Sequence, residues 1–464
     1  GDTTFSVKDR VGKERRFNQA GRLLSLKDRN GNTTALTYDA NQDLIAATDQ
    51  AGRTLTFTPN ANGTISEISD SSGSIATYEY ESGTTRLKTV TFADGSKYKL
   101  TYITVAGKTV LTTVKDALDN VLEYHEYDTS ARAITSEKQG GQEKFTFSYQ
   151  TLASFYRQTT VTDGLGRVMN YWFLQNGGEW PLEKVEGICC GQGGSETAKY
   201  FFDNDLNVKR RTDAFGRPTD FTYDSSGNKL TETDYLGTQK WTYNTFGEVL
   251  TYQDRIDSQA NPIVYTAANT FDTNGNLLTR MDALGKVTTL TYPTTNNKGL
   301  PESIKDARNN TTKFKWFSSG LLDEIDDPYT KKTKFTYDAR GRTKTITNAL
   351  NHVTQYNYFD DTNRKLEMIL PNTEKITYKY DIRRLLESVT DERGKVTNYE
   401  VDPAYRIKKI TDTLGHVKEF GYDAMSNMTS YKDPTGNITE YGYDGYNRLK
   451  EIKYPAAESG GTQL

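Results

Sequence analysis

Polar and apolar residues alternate along short stretches of this chain. In one of them Lys332, Lys334 and Thr336 alternate with Thr333, Phe335 and Tyr337. A period of two places one set of side chains on each face of a half-buried strand. Such runs, about five to seven residues long, are broken by turn signals, and no helical period competes with them. Two kinds of turn signal alternate. One follows a Tyr-Asp pair, as in Tyr223-Asp224-Ser225-Ser226-Gly227-Asn228. The other is Asp-x-x-Gly, as in Asp213-Ala214-Phe215-Gly216-Arg217 and Asp282-Ala283-Leu284-Gly285-Lys286. Aspartate at the first position can bond the backbone two residues on, and glycine accepts positive φ where the chain reverses. Each pair of runs is therefore a hairpin, and successive hairpins continue one meander.

The two signals recur together with a period of about 21 residues, so the chain is first of all a repeat array. From Tyr422-Asp423 the pattern runs through Met428 and Asp433-Pro434-Thr435-Gly436-Asn437 to Tyr443-Asp444. Val401-Asp402, Tyr380-Asp381 and Tyr337-Asp338 hold the same slot earlier. Residues 1–464 read as a single array: 1–201 carry more irregular repeats, with an insertion near 187–195, and 202–454 carry regular ones. A further insertion lies around Ser258 to Pro262. The length prior of about three ordinary domains fails here, because arrays count units rather than cores. Roughly forty strands at about 4.8 Å each make a ribbon on the order of 200 Å long. Open sheets beyond about ten strands curl or split, and strand twist has a fixed hand. The expected fold is all-β: a continuous antiparallel hairpin meander curled into a spiral ribbon or hollow shell. Recurring Leu23, Leu44, Leu230, Leu278, Leu322, Leu386 and Leu449, with the recurring tyrosines, are expected to pack strand to strand along one face.

Composition agrees with an all-β chain that leaves much surface exposed. The hydrophobic fraction is 34%, below the roughly 45–50% of ordinary domains. Disorder is excluded by 31 Tyr, 19 Phe and 4 Trp and by a net charge of only -3. Near neutrality gives no global attraction to nucleic acid or to an anionic membrane. No apolar run is long enough for a transmembrane helix, so no membrane insertion by this segment is expected. The chain opens on Gly1 with no visible signal peptide and is read as a piece of something longer.

Tyr223-Asp224, Tyr337-Asp338, Tyr380-Asp381, Tyr422-Asp423 and Tyr443-Asp444, all but Tyr337-Asp338 coupled to an Asp-x-x-Gly turn, resemble the YD repeat, also called the RHS repeat. The resemblance covers almost the whole chain. It implies a hollow β-ribbon shell around a polypeptide from the same parent chain, as in bacterial contact-dependent effectors, insecticidal toxin-complex subunits and teneurins. It also implies a parent protein that is secreted or displayed at the cell surface. The bacterial forms place an Asp-, Pro- and Gly-rich core block between repeats and toxin. The stretch Tyr454-Pro455-Ala456-Ala457-Glu458-Ser459-Gly460-Gly461 is not such a block, so self-cleavage and toxicity do not carry over.

Candidate chemistry must be weighed against the repeat. Asp213, Asp282, Asp391, Asp412 and Asp433 share one turn slot and read as turn formers rather than acid–base groups. Asp323-Glu324-Ile325-Asp326-Asp327 is the densest acidic cluster, but it lacks the ligand spacing of a calcium loop. His352 and His416 follow glycine-type turns and His125 lies in a strand; none has a ligand partner at a metal-site spacing. Gly191-Gln192-Gly193-Gly194 lacks the lysine and helix of a phosphate loop. Adjacent Cys189-Cys190 excludes a disulfide framework and reads as an inert turn, with a redox-sensitive loop as the alternative. Lysines interleave with tyrosine in Lys375-Ile376-Thr377-Tyr378-Lys379-Tyr380, where solvated charges keep a long sheet from pairing with its neighbours. No catalytic residue, metal or cofactor is therefore expected. The expected role is a structural wall around a toxin or other polypeptide partner, the alternative being a cell-surface adhesion or carbohydrate-binding array that uses exposed aromatics.

Overall fold

The computed structural model describes residues 4–176, 178–188, 195–213, 216–254, 266–294, 298–358, 364–445 and 447–455. Cys189-Cys190, the Gly191–Gly194 run and the segment Ser258 to Pro262 lie outside the described residues. The rest is all-β. Forty-one strands, from Phe5–Lys8 to Leu449–Lys453, belong to one sheet. The pairings along it are antiparallel and join strands that follow one another in sequence. One turn of 3₁₀ helix, Gln139–Gly141, interrupts the meander.

The turns show why this sequence makes hairpins. Asp423 N–H donates to Asn427 O at 2.9 Å, and Ser426 N–H donates to Asp423 O at 3.1 Å. Asp423 Oδ1 accepts from the N–H groups of Met425 and Asn427, each at 2.9 Å, while Oδ2 accepts from the Asn427 amide at 2.8 Å. The next turn repeats this: Asp433 Oδ1 accepts from Thr435 and Asn437 N–H at 2.9 Å. One aspartate thus satisfies the backbone donors that a tight reversal strips from the ladder. The fourth residue takes positive φ, 65° at Ser426 and 97° at Gly436. This is the three-residue hairpin loop with a left-handed residue. In the Tyr-Asp turn an extra residue shifts the register between Gly421 and Tyr422. The displaced tyrosine reaches back: Tyr422 Oη donates to Ile407 O at 2.8 Å and Tyr443 Oη to Met428 O at 2.9 Å. Tyr337 does the same to Leu322 O at 2.8 Å. The recurring tyrosine therefore meets the first residue of the preceding strand, Leu322 among them, through a hydrogen bond to its backbone oxygen; near Leu230 and Leu278 the acceptor is one residue earlier, Lys229 and Leu277.

Glycine is not obligatory at the left-handed position. Gln42, Arg384, Tyr405 and Ser426 occupy it with φ between 65° and 70°. The aspartate bonds hold the turn closed against the strain of a Cβ at that φ, about 1–2 kcal/mol per residue. Gly52 has φ 81° and open space where a Cβ would stand, so Gly52→Ala isolates that strain. It is expected to cost about 1–2 kcal/mol, and Gln42→Gly to stabilise by up to about 1 kcal/mol. Urea unfolding followed at these two turns checks both signs.

The sheet is a single layer over most of its area. Ala76 is the one fully buried hydrophobic side chain among the described residues. The accessible surface is 27984 Å², against about 17,500 Å² for a compact monomer of this mass. Stability comes instead from neighbours on each face. On one face Phe420 and Tyr431 pair with ring centroids 5.5 Å apart. On the other, threonine hydroxyls bridge strands, as at Thr336 and Thr345, 2.6 Å apart. Each such pair contributes roughly 0.2–1 kcal/mol. In Lys375–Tyr380 the lysines and Thr377 are exposed while Ile376, Tyr378 and Tyr380 are half-buried, as the alternation predicts.

Two compact units are distinguished by their internal contacts. The first comprises residues 1–78, 203–210 and 218–373; the second comprises 79–202, 211–217 and 374–464. Each brings an early run of hairpins against a much later one.

Candidate functional site

A meander with two turns per repeat has two edges, one lined by Tyr-Asp turns and one by Asp-x-x-Gly turns. In both units the Asp-x-x-Gly edge of the early hairpins docks on the Tyr-Asp edge of the late ones. The side chains that make these seams come from the turns, partly from positions that the repeat leaves free to vary and partly, at Asp116 and Asp70, from the turn-opening aspartate itself.

In the second unit the seam is built on charge. Asp116 caps its own turn, accepting from Leu118 N–H at 2.8 Å and from Asn120 N–H at 2.9 Å. Its Oδ2 also accepts from the Asn120 amide at 2.8 Å and from the hydroxyl of Tyr405 in the late run. Asp116 is only 2% exposed. Burial pushes its carboxyl up, but these hydrogen bonds outweigh burial and hold it below the usual range. Burial and the Asp116 charge push the Tyr405 phenol well above its ordinary value. Tyr405 projects across the gap from a left-handed position, φ 66°.

Arg384, also left-handed at φ 70°, makes the neighbouring contact. Its Nε donates to Ser96 Oγ at 2.6 Å, its Nη2 to Asp94 Oδ1 at 3.1 Å, and its guanidinium lies 3.8 Å from the Phe92 ring centroid. Burial raises the Asp94 carboxyl, but bonds from Ser96 and Arg384 bring it down to about 2. Farther along, Glu143 N–H donates to Ala424 O at 2.7 Å and Ser426 Oγ to Glu143 Oε1 at 2.9 Å. Arg167 Nη2 donates to Asn447 Oδ1 at 3.0 Å.

The first unit uses the same edges with other residues. Arg29 Nη2 donates to Glu248 Oε1 at 2.6 Å. Asn30 and Asn276 exchange amide hydrogen bonds at 3.1 and 2.9 Å, and Asn276 is buried. Asn32 Nδ2 donates to Lys298 O at 3.0 Å, and Arg340 pairs with Asp70 at 2.7 Å. The late run of this unit also has an Asp-x-x-Gly edge. Its tips are Leu236, Leu284, Tyr329 and Leu350, which are 49%, 71%, 79% and 73% exposed. At the same turn position in the docked early hairpins stand Val11, Asn30 and Ala51. The larger apolar side chains thus stand on the exposed edge, and smaller or polar ones on the docked edge.

The residues singled out by their sequence fall into the turns. Asp213, Asp282, Asp391, Asp412 and Asp433 each accept the N–H four residues on, at 2.8–2.9 Å. The acidic cluster is divided by function. Asp327 caps a turn through Tyr329 and Lys331, while Glu324 is bonded by Lys315 at 2.8 Å and Lys332 at 2.9 Å. Hydrogen bonds from Lys315 and Lys332 bring the Glu324 carboxyl down to about 2. His352 and His416 donate backbone N–H groups to Asn348 and Asp412, and His125 Nδ1 lies 3.1 Å from Ser136 Oγ. Among the described residues no group of three or more His, Cys, Asp or Glu side chains lies close enough to hold a metal ion.

These features define a YD-repeat ribbon protein. A family model described as the teneurin YD-shell matches residues 4–115 and 296–459, more than half of the chain. The chain belongs to the teneurin YD-shell family. A search of curated protein sequences found no match. Solved structures with this fold include the Tc holotoxin pore of Photorhabdus luminescens, at 12% identity and a TM-score of 0.57, covering 99% of this chain and 29% of that one. The TcdB2–TccC3 structure is similar at 14% identity and a TM-score of 0.54, covering 95% and 30%. Its complex with Cdc42 covers 95% and 33% at 12% identity and a TM-score of 0.54. This chain thus spans about a third of the length of the solved chains it matches.

Proposed function

We propose that this chain is a wall segment of a YD-repeat shell that encloses a polypeptide partner, and that residues 1–464 act as a single array in it. The observation that carries this reading is the seam. A one-layer ribbon shields nothing by itself, but in each unit hairpins far apart in sequence are fastened edge to edge, which turns a ribbon into a wall. The family membership agrees with a structural role rather than a catalytic one, and the solved neighbours include shells with a TccC3 partner. The apolar tips from Leu236 to Leu350 are in this reading covered by a further ribbon of the same kind. The parent protein is assigned to the cell exterior. Among the described residues no helix is long and apolar enough to cross a membrane.

Cryo-electron microscopy of the chain tests the reading. A thin curved wall bounding empty space is expected; a filled globule overturns it. Fusing a protease-sensitive polypeptide to the parent shell and measuring its survival under protease addresses enclosure directly. Cleavage at the rate of the free polypeptide counts against it.

A further inference from the structure

The second unit holds a pocket that the repeat does not explain. Its floor is the pleated face shared by Gln142–Ala153, Tyr156–Asp163 and Val168–Leu174, where Tyr149 pairs with Thr159, and Arg157 with both Thr151 and Phe173. Paired and alternate residues point the same way, so Tyr149, Arg157 and Phe173 line one face. Arg132 and Trp180 close two sides, giving a cavity of about 510 Å³. That size suits a small organic group.

Two guanidinium groups are held there by ring stacking. Arg157 lies 3.7 Å from the Trp180 ring centroid and Arg132 lies 4.6 Å from that of Tyr149. Arg132 is neutralised by Asp128 at 2.7 Å. Arg157 has no carboxylate partner among the described residues. A guanidinium over an indole face still has N–H donors to offer a bidentate carboxylate. Beside the pocket, at the tip of the hairpin that carries Arg157, Leu152 and Phe155 leave an exposed apolar ledge.

We propose that this pocket binds an acidic side chain flanked by a large apolar residue, as in an extended acidic–aromatic peptide segment. Arg157 takes the carboxylate, Trp180 and Phe173 line the acid's aliphatic stem, and the ledge takes the neighbouring ring. The site stands apart from the shell reading: failure of the peptide to bind leaves the wall intact, and a filled particle leaves the pocket intact.

The probe is the blocked dipeptide Ac-Asp-Phe-NH2 against Ac-Asn-Phe-NH2, added to the full chain and followed by saturation-transfer NMR on the peptide. The acid is expected to bind at least tenfold more tightly than the amide, with the phenyl protons saturated. Arg157→Gln is expected to abolish the difference while lowering thermal unfolding by no more than the loss of its contact with Trp180, because Arg157 makes no ion pair among the described residues. Trp180→Ala is expected to weaken both peptides. Equal binding of acid and amide, or unchanged discrimination in Arg157→Gln, overturns the proposal. Binding of free aspartate as tight as that of the dipeptide overturns the role of the apolar ledge.

Discussion

Replacing Asp116 with alanine is expected to unfasten the second unit at its centre and to cost about 3–5 kcal/mol. The side chain is 2% exposed and ties two parts of the structure together through four donors: the Leu118 N–H, Asn120 N–H and Asn120 amide of its own turn, and the Tyr405 hydroxyl from a distant hairpin. Alanine leaves those donors without their acceptor in a place that water reaches poorly, and each orphaned group costs roughly 1–3 kcal/mol. Tyr405→Phe removes only the link across the seam and is expected to cost about 1.5–3 kcal/mol, the range for a hydrogen bond to a charged group. Hydrogen exchange separates the two effects. Asp116→Ala should deprotect Leu118 and Asn120 in the near turn and the Asp402–Arg406 turn across the seam. Tyr405→Phe should deprotect the far turn while leaving the near one closed. Unchanged exchange in the far turn for both variants would show that the seam does not hold the two runs together.

The local structure was legible because each repeat states it in full. An aspartate at the first turn position, a residue tolerant of positive φ at the fourth and alternation between turns are chemical instructions with one geometric outcome, as the Asp423 and Asp433 turns show. The bulge beside each Tyr-Asp turn was less visible. It adds one residue to one strand, which a period of about 21 absorbs without trace. The seams were not legible at all. Asp116 looks like any other turn aspartate, and Asp94 is simply the third residue of a turn that Phe92 opens. Nothing in sequence marks Tyr405 as the partner of a residue 289 positions earlier. One signal was present in Arg384 and Tyr405: bulky side chains where the motif prefers glycine. A strained position filled by a long polar side chain points to a contact that offsets the strain. The pocket at Arg157 was hidden for the same reason, since its walls come from separate hairpins and a loop.

Arg384 and Asp94 make the acid stability of the second unit a direct readout of its seam. Asp94 titrates at about 2 when folded, below the ordinary 3.8, because bonds from Ser96 and Arg384 outweigh the opposing effect of burial. A depressed folded value means that the carboxylate stabilises the fold fully above about pH 4 and loses this effect as pH falls through about 2. The difference is worth about 2 kcal/mol, since the side chain is only 18% exposed and solvent screens it little. Arg384→Gln is therefore expected to raise the Asp94 titration towards 3.8 and to open the Phe92–Ser96 and Asp381–Leu385 turns at higher pH. Neutral-pH stability should fall with it, and Asp94→Asn should remove this step from the acid profile. Arg384→Gly decides between the two roles of the position. It relieves about 1–2 kcal/mol of left-handed strain but deletes the guanidinium. If the contact is what the position is kept for, Asp94 titrates in Arg384→Gly as it does in Arg384→Gln, whatever the change in overall stability. A titration still near 2 in both variants would mean that Ser96 alone holds the carboxylate and that Arg384 contributes nothing to closing the seam.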